Sequence, residues 1–135
     1  MNEHEVAAGL PPTPHYRYAQ RVGDQLFVAG QVPLDALGRL VGQDDPHAQA
    51  RQCLHNLQRL LSVHGFTIAD VRQLVVHVVG DAAALNAAWA AVSEWFAGEV
   101  PPATLLGAAR LGYPGQSVEV DATVLKYEPP PREIN

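Results

Sequence analysis

Two short stretches of this 135-residue chain place polar side chains where chemistry could use them. In VEVDATVL, residues 118–125, strand alternation puts Glu119, Asp121 and Thr123 on one face and Val118, Val120, Ala122 and Val124 on the other. Carboxylates on such a face are either solvated, the ordinary place for Asp and Glu, or covered by a neighbouring subunit, where desolvation fits a carboxyl to accept or deliver a proton. In VPPATLLGAA, residues 100–109, two prolines and an alanine precede an apolar run whose first polar side chain is the Thr104 hydroxyl.

Other reactive residue types point to packing. The histidines His4, His15, His47, His55, His64 and His77 show neither HxH nor HExxH spacing, so zinc catalysis has no support. His77 reads as a strand residue with a satisfied hydrogen bond. Cys53 falls on the apolar stripe of a helix, where a free cysteine behaves as a small hydrophobe, and Trp89 and Trp95 share the core side of a second helix. GLPPTP and GQVPLDALG match neither a P-loop nor GxGxxG.

The bulk composition sets further bounds. With 47% hydrophobic residues, 17% charged, 11 Gly and 11 Pro, the chain suits one turn-rich globular domain. A net charge of -5 without a Lys/Arg cluster argues against nucleic acid as a partner. The start, MNEHEVAAGLPPTP, lacks a basic n-region and an apolar h-region, and no apolar run is long enough to span a bilayer. The expectation is a soluble cytoplasmic protein with no membrane partner, and the single cysteine excludes an intramolecular disulfide.

The positioning elements follow from periodicity. QLFVAG (25–30) reads as a buried strand, and VPLDALGRLVG turns through Pro33 and Gly38 into another short extended piece, a hairpin-like start. Asp44 or Asp45 caps a helix over 46–64, with Ala50, Cys53, Leu54, Leu57, Leu60 and Leu61 at helical spacing. RQLVVHVV (72–79) is a strand. Asp81 caps a second helix that carries Leu85, Ala88, Trp89, Val92, Trp95 and Phe96 and ends at Gly98. TLLGAARL (104–111) and SVEVDATVLKY (117–127) are the closing strands, joined by a turn at Tyr113, Pro114 and Gly115. The order β-β-α-β-α-β-β lays two helices on one face of a mixed sheet and leaves the other face needing cover, which oligomerisation would supply. The proline-rich PPTP (11–14) and EPPPREIN (128–135) are expected outside the core. The organisation is thus a domain over 17–128, an N-terminal segment 1–16 and a tail 129–135.

Taken in order, GDQLFVAGQVPLDALGRLVG, AQARQCLHNLQRLLSVHG, DVRQLVVHVVGD, PPATLLGAARL and VEVDATVL resemble the YjgF/RidA family of small trimeric proteins, from about Tyr16 to Tyr127. AGQVPLD, PPAT and VEVDA each match a family signature. The resemblance implies an α+β, chorismate-mutase-like fold, a homotrimeric barrel lined by sheets with helices outside, and small-molecule clefts at the subunit interfaces. It implies hydrolysis of reactive 2-imino or enamino acids, released by pyridoxal-phosphate enzymes, to 2-keto acids and ammonia, with no metal or cofactor. It also carries substrate-binding positions onto Tyr16, Gly30, Asn86, Thr104 and Leu106, and the catalytic, water-orienting role onto Glu119; Ala29 stands where many relatives have serine.

One position departs from that pattern. Family members of the best-known type have an arginine after Pro-Ala that grips the substrate carboxylate, and this chain has Thr104 there. A hydroxyl cannot replace a planar cation that offers two parallel hydrogen bonds. Arg110 has the same strand parity but lies about 20 Å along an extended strand; Arg17 and Arg21 neighbour Tyr16 and are the other candidates. Two readings follow. One is a divergent imine or enamine deaminase whose substrate is not anchored through a carboxylate. The other is a non-catalytic trimer that binds a small metabolite or regulates a partner. Ribonuclease action, attributed to relatives, is opposed by the acidic surface.

Overall fold

The structure, a computed structural model, describes residues 1–126. In chain order the elements are α1 (Glu3–Ala7), β1 (Ala19–Val22), β2 (Gln25–Val28), α2 (Pro46–Val63), a 3-10 turn (Ile68–Asp70), β3 (Val71–Val78), α3 (Ala82–Trp95), β4 (Ala103–Gly107) and β5 (Val118–Leu125). They form one five-stranded mixed sheet in the order β1-β2-β5-β3-β4, in which only β3 and β4 are parallel. The α+β class and the mixed sheet match the expectation.

The long helices begin where cap chemistry places them. Asp45 accepts a hydrogen bond from the Ala48 amide at 3.0 Å, with Pro46 in the first turn, and Asp81 does the same for Ala84. Each carboxylate satisfies an amide that the helix itself leaves unpaired. Ala50, Cys53, Leu54, Leu57 and Leu61 of α2 and Ala88, Ala91 and Val92 of α3 pack on Leu74, Val76 and Val78 of β3 and Val118, Val120 and Val124 of β5. Both helices therefore cover one face of the sheet, and Cys53 and the two tryptophans belong to this core or its margin, as their spacing predicted.

Three features of the sheet differ from the sequence reading. The hairpin uses β1 and β2 around Gly23-Asp24, upstream of the one expected, and Gly23 sits at φ +60, as a tight turn matching strand twist requires. The segment after QLFVAG makes only the isolated bridges Gln31 to Val120 and Leu34 to Leu40. β4 stops at Gly107 rather than at 111, because its only neighbour among the described residues, β3, ends at Val78 and offers no further backbone partners. The two closing strands are joined by the expected turn but do not pair, since β3 lies between them.

The N-terminal segment does not lie outside the packed structure. Leu10 is completely buried against Tyr18 and Leu60. Glu5 is buried too, with its carboxylate 2.9 Å from His64 Nε2. Asn2 bonds the Tyr16 carbonyl and the Tyr18 amide. Proline disfavours regular structure here but does not prevent the flanking residues from docking. The tail, 129–135, lies outside the described residues.

The face opposite the helices is open. Cross-strand partners share a face, so the pairings place Val22, Phe27, Leu106 and Leu125 on it. Phe27 is 54% exposed and Val22 59%. Large apolar side chains left this exposed on one sheet face call for cover, although Gln25, Thr104 and Thr123 share that face. No helix among the described residues is long and apolar enough to cross a membrane.

Candidate functional site

Glu119 and Asp121 stand on the open face of β5, two residues apart and therefore side by side. Gly30 lies against both. A Cβ at Gly30 would come within 2.5 Å of Glu119 Oε2 and 2.7 Å of Asp121 Oδ1, so only the absence of a side chain lets the two carboxylates converge there. Gln31 fixes this approach by exchanging backbone hydrogen bonds with Val120, the residue between the two acids, at 2.8 and 3.1 Å.

Each carboxylate has a polar partner. Gln116 Nε2 donates to Glu119 Oε1 at 3.2 Å and to the Val118 carbonyl at 3.0 Å, while its side-chain oxygen accepts from the Tyr113 amide. His77 Nε2 lies 2.8 Å from Asp121 Oδ2. Gln49, fully buried on α2, bonds the Gly42 and Gly115 carbonyls and the Ser117 amide, holding the approach to β5. Asn56 likewise donates to the Val32 and Leu34 carbonyls and holds the chain after Gly30.

A cleft of about 470 Å³ opens beside Glu119, with Pro14, Tyr16, Ala29, Gly30 and Tyr113 among its walls. The hydroxyls of Tyr16 and Tyr113 are 3.3 Å apart. Burial, and then the Tyr113 hydrogen bond, raise the Tyr16 phenol well above the ordinary tyrosine value, with the Glu119 charge adding to the effect. The cleft thus joins a carboxylate to two phenols at one mouth.

Of the positions marked on the sequence, Tyr16, Gly30 and Glu119 meet in this cleft. Thr104 and Leu106 lie on edge strand β4 and share the open face, in rows that run Thr104, Val75, Asp121 and Leu106, His77, Glu119. Two strand spacings of about 4.8 Å separate each β4 residue from its acid. Asn86 is exposed on α3, in the helix layer, away from the cleft of its own chain. Arg21 turns to the helix side, its guanidinium 5.0 Å from the Phe66 ring centre, and Arg17 and Arg110 are exposed outside the cleft walls.

Tyr113 and Gln116 were missed in the sequence, whereas the hydrogen bond expected of His77 is present, with Asp121 as its partner. The YPGQ turn reads as punctuation, and nothing in its spacing shows that it folds back over the acids. Among the described residues no group of three His, Cys, Asp or Glu is placed to hold a metal.

Residues 7–126 match the family model described as Endoribonuclease L-PSP. The chain belongs to this family, that of the YjgF and RidA proteins. The RutC family protein PH0854 of Pyrococcus horikoshii is 34% identical to this L-PSP-family chain over 94 residues, 68% of this chain and 71% of that protein. The crystal structure of PA3499 from Pseudomonas aeruginosa, a protein of unknown function, superposes with a TM-score of 0.72 at 30% identity and covers 86% of both chains. E. coli TdcF, solved with bound serine, shares the L-PSP-family fold with a TM-score of 0.71 at 21% identity, covering 86% of this chain and 91% of that one.

Proposed function

We propose that this chain forms a homotrimer through its open sheet face and hydrolyses an imine or enamine in a cleft at each subunit interface, releasing a carbonyl compound and ammonia. The observation that carries this reading is Glu119, a carboxylate steadied by Gln116 over Gly30 and facing a cleft otherwise walled by phenols and apolar groups. Such a group can hold a water and take its proton as the oxygen adds to the imine carbon. The C=N electron pair moves to nitrogen, which takes a proton. The hydroxyl proton of the resulting carbinolamine then passes to the nitrogen, the C–N bond breaks as the C=O bond forms, and a carbonyl compound and ammonia result. The chemistry requires no metal or redox cofactor.

Assembly accounts for what one chain leaves incomplete. Cover from a neighbouring subunit would desolvate Phe27, Val22 and Leu125 and bring that subunit's helix and strand residues, among them those matching Asn86 and Thr104, towards Glu119. Phe27→Asp should yield smaller species in sedimentation. A chain that sediments as a stable monomer before mutation would overturn the interface reading. A reducing compartment such as the cytoplasm suits the free thiol of Cys53.

Thr104 in place of a guanidinium specifically favours a second reading, metabolite binding without turnover. Ammonia release from imines generated in place, compared between the wild type, Glu119→Ala and Thr104→Arg, separates the two. Turnover abolished by Glu119→Ala supports the hydrolase. Saturable binding with no ammonia from any imine supports the binding module. Activity on 2-imino acids that appears only in Thr104→Arg means the anchor alone was missing.

A further inference from the structure

We propose that the cleft selects a small cation, namely a protonated imine or ammonium-bearing ligand with no carboxylate beside the reacting carbon. The inference rests on the cleft being the ligand site, as proposed above, and adds the class of ligand it takes.

The electrostatics of the walls carry it. Among the described residues Glu119 is the only charged one lining the cleft. Asp121 adds a second carboxylate, its Oδ1 directed at the same Gly30 as Glu119 Oε2. An anion brought here would face two like charges, whereas a cation would find two acceptors converging from one strand. Tyr16 and Tyr113 add aromatic rings and phenol oxygens, which attract cations.

Several cations are held elsewhere, and Arg17 and Arg110 are exposed outside the cleft walls. His77, when protonated, neutralises Asp121 through Oδ2, on the side away from Gly30, and leaves Glu119 uncompensated. Arg21 and Lys126 sit over the Phe66 ring. Arg39 pairs with Asp35, and Arg59 donates to the Gly9 carbonyl. Arg51 lines a separate cavity beside His55 and Trp95. Thr104 offers no charge, and among the described residues no guanidinium of the same chain lines the cleft. A carboxylate-bearing imine would have to be desolvated next to Glu119 with nothing to pair it.

The test uses two five-membered rings of similar shape and opposite charge, pyrrolidinium and pyrrole-2-carboxylate, titrated calorimetrically into the full-length protein at neutral pH and low salt. Pyrrolidinium should bind at least about tenfold more tightly than the anion, with an affinity that falls as salt is added. Glu119→Gln should remove most of that preference, and Thr104→Arg should raise affinity for the anion. Equal or tighter binding of pyrrole-2-carboxylate by the wild type, or no binding of pyrrolidinium, overturns the inference. Ammonia release is measured separately, on the imine formed from acetone and ammonia and on a 2-imino acid. Cation binding without any turnover would leave the ligand class standing and remove the hydrolase. Turnover of the 2-imino acid together with preferred anion binding would do the reverse.

Discussion

His77 and Asp121 meet across β3 and β5, Nε2 to Oδ2 at 2.8 Å, and in the adjacent row His77 is paired with Leu106 on one side and Glu119 on the other. The contact takes one oxygen of Asp121 and leaves the other over Gly30, beside Glu119. Two strands and one turn thus supply the polar groups around Gly30: His77 from β3, Glu119 and Asp121 from β5, and Gln116 ahead of β5. Their geometry depends on register, because a slip of one residue would move the strand side chains among them into the core.

His77 positions Asp121. His77→Gln keeps a donor for Oδ2 and should retain most of the wild-type ligand affinity, whereas His77→Val should lose it several-fold. Stability should change by less than about 1 kcal/mol in either variant, because both partners remain partly exposed to water. Titrations of pyrrolidinium alongside urea unfolding check both points; equal binding by the two variants would assign the histidine to packing alone.

Gly30→Ala inserts a methyl into the space used by both carboxylates. The obstructing atoms are the ends of side chains, which can swing aside, so the fold should survive with a loss of about 1 kcal/mol. The site should not: on the proposed mechanism, displacing Glu119 by even an ångström would misplace the attacking water, and turnover should fall about 100-fold. Thermal unfolding paired with an ammonia assay separates the effects. An active Gly30→Ala would mean that the carboxylates need not converge.

Much of this arrangement was legible from residue order. The helices announced themselves through Asp45 and Asp81 and an apolar stripe, and the alternation of VEVDATVL put Glu119 and Asp121 on the correct face. AQRV was not legible as a strand because it is short, polar and on the sheet edge, although Gly23-Asp24 between two extended runs is a hairpin signal that should have revealed it. Long-range partners such as Gln116 with Glu119, or His77 with Asp121, depend on how turns fold back and on which strands become neighbours. Local periodicity carries neither. Leu10 was hidden for a related reason: the proline-rich stretch beside it suggested an unpacked arm, while its burial depends on Leu60 fifty residues away.

That burial gives a sharp expectation for the amino-terminal segment. Leu10→Ala should cost about 2–5 kcal/mol, the range for truncating a fully enclosed leucine. Because Asn2 ties the same segment to Tyr16 and Tyr18, the damage should reach the cleft as well. Denaturant unfolding gives the first quantity and ligand titration the second. A loss below 1 kcal/mol would show that the segment is only lightly attached.

Tyr16 and Tyr18 both have phenols raised well above the ordinary value, in each case chiefly by burial. Tyr18 also donates to the Pro11 carbonyl, an additional reason for it to keep its proton. An acid whose folded pKa exceeds its unfolded one binds more protons in the native state, so its contribution is fully present below the unfolded value of about 10 and disappears as pH climbs towards the folded value. Wild-type stability should therefore decline from about pH 10 upward, the usual tyrosine reference. Tyr16→Phe and Tyr18→Phe should each flatten that decline, even though Tyr18→Phe gives up about 1 kcal/mol at neutral pH with its hydrogen bond. Urea midpoints collected across this range for the three proteins decide the matter, and parallel curves would show that neither phenol is held from ionising by the fold.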